Sequence, residues 1–264
     1  MTRLRRYAAF GYGVAAYVLA LATIAYAVAF LANVVVPRTV DGGPVGPPVV
    51  AVLVDAVLLG LFGLQHSLMA RPWFKVRWTR LVPEPVERST YVLFASLALL
   101  VLMWAWRPLP AVVWRVDGYA ASALWVVYAA GWLLMLAAVN TIDGPELMGL
   151  RQVTAYLRGR ELAPVDFQTP GLYRYVRHPI MTGFLLSFWV TPRMTLGHLL
   201  FAVGTTAYVL VGVTLEQRDL LDAFGDRYRT YRRDVPMFVP RPWQVVSTRR
   251  TEADGDRSEG PDVR

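Results

Sequence analysis

The chain has 264 residues, 55% of them hydrophobic and 17% charged, and its net charge of +8 is almost all arginine, Lys75 being the one lysine. That balance describes a polytopic membrane protein rather than a soluble domain, and in such a chain an arginine excess sets topology before it suggests nucleic acid. The lack of cysteine excludes disulfides, thiolate zinc sites, iron–sulfur ligation and a cysteine nucleophile, and the three widely spaced histidines offer no metal-ligand pattern.

The first apolar stretch runs unbroken over residues 8–36, too long for the core of a cleavable signal peptide. A membrane core about 30 Å thick needs roughly 20 apolar residues per helix. Spans are expected at 8–31, 49–70, 89–106 and 120–141. A helical hairpin follows, with arms at 179–191 and 196–215 and Pro192 breaking the turn. The first arm has 13 residues, about 20 Å of helix, and whether it crosses fully stays open. Beyond it, 215–233 reads as an amphipathic helix with Leu220, Phe224, Tyr228 and Tyr231 on one face. That face either lies on lipid with its tyrosines at headgroup level or folds back over the hairpin mouth. Residues 247–264 have almost nothing apolar and are expected to be a disordered tail. The expected fold is therefore all-α, a polytopic bundle of five to six spans in one membrane domain over 1–246.

With the N-terminus inside, 23 of the 27 basic residues fall in inner segments; the other 4 are Arg38, Arg107, Arg115 and Arg193. The positive-inside rule then puts both termini in the cytoplasm. Four separated segments carry ionisable groups to that same boundary: His66, then Asp143 and Glu146, then Arg177 and His178, and finally Glu216, Arg218 and Asp219. Such groups are costly within a bilayer and mark a candidate site. Pro179 suits the first position of the helix that follows them. A pocket there would serve a reaction between a water-soluble cofactor and an apolar or volatile substrate. Arg71, Lys75, Arg77 and Arg80 read as topology anchors, and Asp55 and His198 as structural groups; Asp55 lies about 16 Å along its helix from His66.

The run Arg177-His178-Pro179-x-x-x-Gly183, a hydrophobic hairpin, then Glu216-x-Arg218-x-Leu220, Phe224-Gly225, Tyr228 and Tyr231 resembles the membrane methyltransferases related to isoprenylcysteine carboxyl methyltransferase. Gly63 to Pro72, Glu87 to Tyr91, Gly149 to Val153 and Met194-Thr195-x-Gly197-His198 are similar to bacterial methanethiol S-methyltransferases. The resemblance covers roughly residues 7–240. It implies S-adenosylmethionine as cofactor, a small thiol as acceptor and dimethyl sulfide as product. It implies Glu216 as an anchor for the methionyl ammonium or as a general base, and Arg177 as a clamp on the methionyl carboxylate. Arg218 would share that clamp or favour a thiolate. His178, Pro179 and Gly183 would line the cofactor pocket, with Gln152, Tyr173, Tyr175, Tyr228 and Tyr231 in its walls. His66, Asp143 and Glu146 would stand on the acceptor side.

The sequence departs from the pattern in three places. Met181 replaces a tyrosine of the wider class, Gln217 a second glutamate, and the run at 142–146 an Asn-His-Phe type segment. Other apolar acceptors, such as a lipid amine or an isoprenylcysteine-type carboxylate, stay open, as do nicotinamide chemistry and a non-enzymatic role of the nitrogen-oxide-response type. Transport is disfavoured because the ionisable groups gather at one face and no inverted repeat is visible.

Overall fold

The computed structural model describes residues 3–162 and 167–241. The expected tail at 247–264 lies outside them. Five helices are long and apolar enough to cross a membrane: α1 (Arg3–Ala32), α2 (Pro48–Ala70), α4 (Glu84–Ala105), α5 (Gly118–Ile142) and α9 (Leu196–Asp234). Between them lie the short helices α3 (Pro72–Trp78), α6 (Gly144–Leu147), α7 (Leu150–Arg158) and α8 (Pro179–Trp189). The near face is defined here by the start of α1 and the far face by the α1–α2 connection. Prolines open α2, α3, α4 and α8, where a missing N–H costs nothing. On α2 the strip Leu53, Val57, Leu61 and Leu64 is 58–64% exposed, a loss no water-facing helix would accept and a bilayer rewards.

The core lies toward the far face, where Phe30, Leu102, Met103, Trp106, Tyr128, Trp132, Met135, Phe188 and Phe201 pack together. Their rings meet mostly edge to face, as Trp106 and Phe201 do at 5.7 Å. Helix α8 lies against α5 because both carry glycine at the contact. A Cβ on Gly183 would stand 2.6 Å from the Gly131 carbonyl oxygen and 2.7 Å from the Met135 nitrogen. The Ser187 hydroxyl fixes the register by donating to the Tyr128 carbonyl at 3.2 Å.

One detail departs from the all-α expectation. A two-stranded antiparallel ribbon joins β1 (Val112–Arg115) to β2 (Arg193–Thr195) at the far face. It answers the question left by the short hairpin arm. Helix α8 has 11 residues, too few to cross alone. The extended chain after it completes the passage, and its backbone groups are satisfied by Val116 N–H to the Pro192 carbonyl (2.8 Å) and Trp114 Nε1–H to the Thr191 carbonyl (3.1 Å). Asp55 is buried at the far end of α2 and accepts from the Arg107 amide at 2.9 Å, while His198 Nε2 meets the Phe188 carbonyl at 2.9 Å.

Helix α9 runs without a stop through the expected boundary at residue 215, since no breaker stands there. It breaks at Gly225 (φ 50°, ψ −123°), a conformation that favours glycine. The chain then turns back, so that the Arg177 and His178 amides donate to the Pro236 and Met237 carbonyls at 2.9 and 3.1 Å.

Candidate active site

The end of α2 is tied to α9 by Arg71, whose Nη1 lies 2.7 Å from Asp219 Oδ2 and whose Nε donates to the Ser67 carbonyl at 3.2 Å. Both bridge partners have a candidate residue roughly one turn deeper in the membrane, His66 on α2 and Glu216 on α9. The start of α8 joins the same place. Arg177 Nη1 donates to Gln217 Oε1 at 3.1 Å, Gln217 Nε2 lies 3.4 Å from His178 Nε2, and His178 Nδ1 lies 3.5 Å from Glu216 Oε2. Arg177 and Glu216 therefore face one another across a two-residue chain. The Glu216 side chain is 49% exposed, whereas His178 is buried. Burial pushes the His178 imidazole down to about 4, with the Arg177 charge adding to it, so the ring is neutral at neutral pH. Burial raises the Tyr173 phenol above its usual range, and the Glu216 charge adds to that.

The break at Gly225 brings the aromatic face of α9 back over the mouth of α8. The Tyr231 hydroxyl donates to the Tyr173 carbonyl at 2.7 Å, and Tyr228 is buried. Phe167 stacks among Phe224, Tyr228 and Tyr231 with ring centroids 5.3, 5.9 and 5.4 Å away. The Tyr228 hydroxyl lies against the Arg177 guanidinium. Neither that hydroxyl nor Arg177 Nε has a well-aligned partner, although both are buried.

The structure thus brings together Arg177, His178, Glu216, Tyr173, Tyr228 and Tyr231, with Pro179 buried as the first residue of α8. Other candidates are placed elsewhere. Gly183 meets α5 backbone instead of opening onto a pocket, because the helices approach too closely there for any Cβ. Tyr175 is 51% exposed and points outward. Arg218 is exposed, turned about 100° around α9 from buried Gln217, and has no partner among the described residues. Asp143 and Glu146 are both engaged by Arg151. Gln152 donates to the Glu146 carbonyl at 3.3 Å, within that same corner of the near face. Two cavities, about 330 Å³ beside Tyr26, Leu97 and Trp104 and about 260 Å³ beside Asp117 and Arg193, lie away from the cluster.

Sequence reasoning missed the contacts that Gln217 and Arg71 make in this cluster. Gln217 is a buried amide bridging the Arg177 guanidinium and the neutral His178 ring, a role that spacing alone does not reveal. Arg71 counts as a topology marker in any charge tally, yet its side chain is only 17% exposed. The available signal was Asp219, an acid beside Glu216 that needed a partner at that depth.

Fold and cluster together define a polytopic integral-membrane protein with a polar site recessed at one bilayer boundary. The chain is 52% identical over 240 residues to methanethiol S-methyltransferase of Mycobacterium tuberculosis, covering 90% of this chain and 98% of that protein. It is 51% identical over 240 residues to methanethiol S-methyltransferase 1 of Bradyrhizobium diazoefficiens, covering 90% and 84%. A more distant likeness, 35% over 176 residues, is to nurim of Pan troglodytes, covering 63% of this chain and 66% of that protein. No family model and no solved structure matches. The chain belongs to the methanethiol S-methyltransferase family.

Proposed function

We propose that this protein methylates methanethiol to dimethyl sulfide, with S-adenosylmethionine as donor and the near face in the cytoplasm. The observation that carries the reading is the chain Arg177–Gln217–His178–Glu216 at the joint of α8 and α9, within a sequence half identical to methanethiol S-methyltransferases. The orphaned donors fit the cofactor. Arg177 Nε and the Tyr228 hydroxyl, buried side by side, are suited to a carboxylate. The half-open Glu216 carboxylate is suited to an ammonium, and the Phe167–Phe224–Tyr231 wall to a flat base. When bound, S-adenosylmethionine supplies a methyl group on a sulfonium. The protein's part is mainly placement. Gln217 holds Arg177 and neutral His178 in fixed relation, and that fixation lowers the barrier by removing freedom before the reaction. The wall carrying Tyr228 and Tyr231 excludes water from the clamp.

The test has two arms. Cells expressing the chain and fed methanethiol should release dimethyl sulfide, measured by headspace gas chromatography. Purified protein should bind S-adenosylhomocysteine in calorimetry and ignore NADPH. NADPH binding without S-adenosylhomocysteine binding would reject methyl transfer.

A further inference from the structure

A second group of polar side chains lies between α2, α4 and α9. His66 Nε2 is 2.8 Å from the Tyr91 hydroxyl, and its ring contacts Phe62, Tyr91 and Tyr208 with centroids 5.5, 5.1 and 6.2 Å away. The Tyr208 hydroxyl meets the Ser67 side chain. Close contact between α2 and α9 here depends on Gly63, where a Cβ would stand 3.0 Å from the Tyr208 ring. In the middle of this group His66 Nδ1 is buried and has no partner. Buried ring nitrogens rarely stay unpaired without reason.

Position gives the reason. His66 precedes Arg71 by five residues on α2, and Glu216 precedes Asp219 by three on α9, while the Arg71–Asp219 pair pins the two helices together. With about 1.5 Å of rise per residue, His66 and Glu216 stand about 7 and 5 Å to the membrane side of one bridge, hence at one level. Helix α9 also leaves a gap on the strip between Tyr208 and Glu216, since nothing lies within 4 Å of a Cβ placed on Gly212.

The geometry points to the His66–Tyr91–Tyr208 group as the seat of the thiol acceptor, with His66 Nδ1 taking the proton of its S–H bond. This rests on the methyltransferase reading above. Tyr91 is a positioning residue. Its hydroxyl hydrogen can rotate to suit its surroundings, whereas a ring N–H cannot. The assignment requires the tautomer in which Nε2–H donates to the Tyr91 oxygen, which leaves the lone pair on Nδ1 for the thiol proton. Ordinary thiols are mostly protonated at neutral pH and react as thiolates. As the acceptor sulfur takes the methyl, its S–H bond breaks toward Nδ1, giving an imidazolium. The electron pair of the cleaved carbon–sulfur bond stays on the donor's sulfur, which ends uncharged. The aromatic walls fit a small soft sulfur compound. Asp143 and Glu146, the other acceptor-side candidates, are occupied by Arg151.

The experiment compares His66→Gln and Tyr91→Phe with the wild type on two acceptors of one shape, methanethiol and methaneselenol, the selenol being ionised at neutral pH. His66→Gln should lower kcat on the thiol by about 100-fold, the low end of general-base effects, and leave the selenol rate within a few-fold. S-adenosylhomocysteine binding by calorimetry should not change. Tyr91→Phe should lower kcat on the thiol less, and histidine ¹⁵N NMR should show the His66 proton no longer confined to Nε2. Equal losses on both acceptors, or none on either, would overturn the assignment. Should His66→Gln fail to insert, Tyr91→Phe alone decides by the same thiol-to-selenol ratio. A wild type inert toward both acceptors sinks the methyltransferase reading instead.

Discussion

At the residue scale the site depends on charges held by a neutral amide. Glu216→Gln keeps the shape and removes the anion that faces His178, so turnover should fall by at least about 100-fold while the protein still inserts. Dimethyl sulfide release per mole of detergent-extracted protein measures it. Gln217→Ala strips the shared partner from Arg177 and His178 and leaves a buried guanidinium less well paired. S-adenosylhomocysteine affinity should drop by roughly tenfold, in line with losing one charged hydrogen bond. His178 sets a pH dependence. Its folded value, about 4, lies below the ordinary 6.5, so below pH 6.5 the unfolded chain binds the extra proton and the folded one resists it. This contribution is intact above pH 6.5 and is lost as pH falls toward 4; thermal unfolding in detergent should show that window, and His178→Gln should flatten it. Residues of this kind were partly legible. Arg177, His178 and Glu216 stand out because charge at a span's mouth is expensive, whereas His66's partner Tyr91 is one aromatic residue among many in an apolar helix.

At the element scale the chain reveals its long helices and hides its short ones. Uninterrupted apolar length predicts α1, α2, α4, α5 and α9 to within a few residues, except that 215–234 continues α9 instead of starting a new helix. The β1–β2 ribbon was not legible, because three or four residues carry too little periodicity to read and the pairing spans some eighty positions of sequence. Gly183 was read as a cofactor neighbour for the right physical reason, close approach, but the approaching group is the α5 backbone. Gly183→Val should force α5 and α8 apart and cost about 1–3 kcal/mol, seen as a lower unfolding midpoint. Gly225→Ala acts differently. It places a side chain where φ is +50°, a strain of about 1–3 kcal/mol that is relieved by straightening α9. Limited proteolysis should then cut faster near residues 235–238, which would lose their hydrogen bonds to Arg177 and His178.

At the scale of the whole molecule, five long helices and the passage made by α8 with the extended chain after it bring both ends of the described chain to one face, and the charge asymmetry makes that face the expected cytoplasmic one. Single cysteines placed at Arg3 and at Arg241 should both be labelled by an impermeant maleimide from the cytoplasmic side only; opposite labelling would invert the assignment of faces. The depth of the site has a further consequence. By the register of Ser187 and Gly183 against α5, His178 stands about one helical turn short of the end of α5. Helix α5 has 25 residues, about 37 Å, so one turn short of its end lies close to the boundary of a hydrocarbon core about 30 Å thick. If the proposed acceptor site opens at that boundary, an oily, gas-like thiol can enter it from the acyl chains without being extracted into solution. Any affinity quoted against the aqueous concentration then conceals a partition coefficient, and two lipid compositions would give the same enzyme two different numbers.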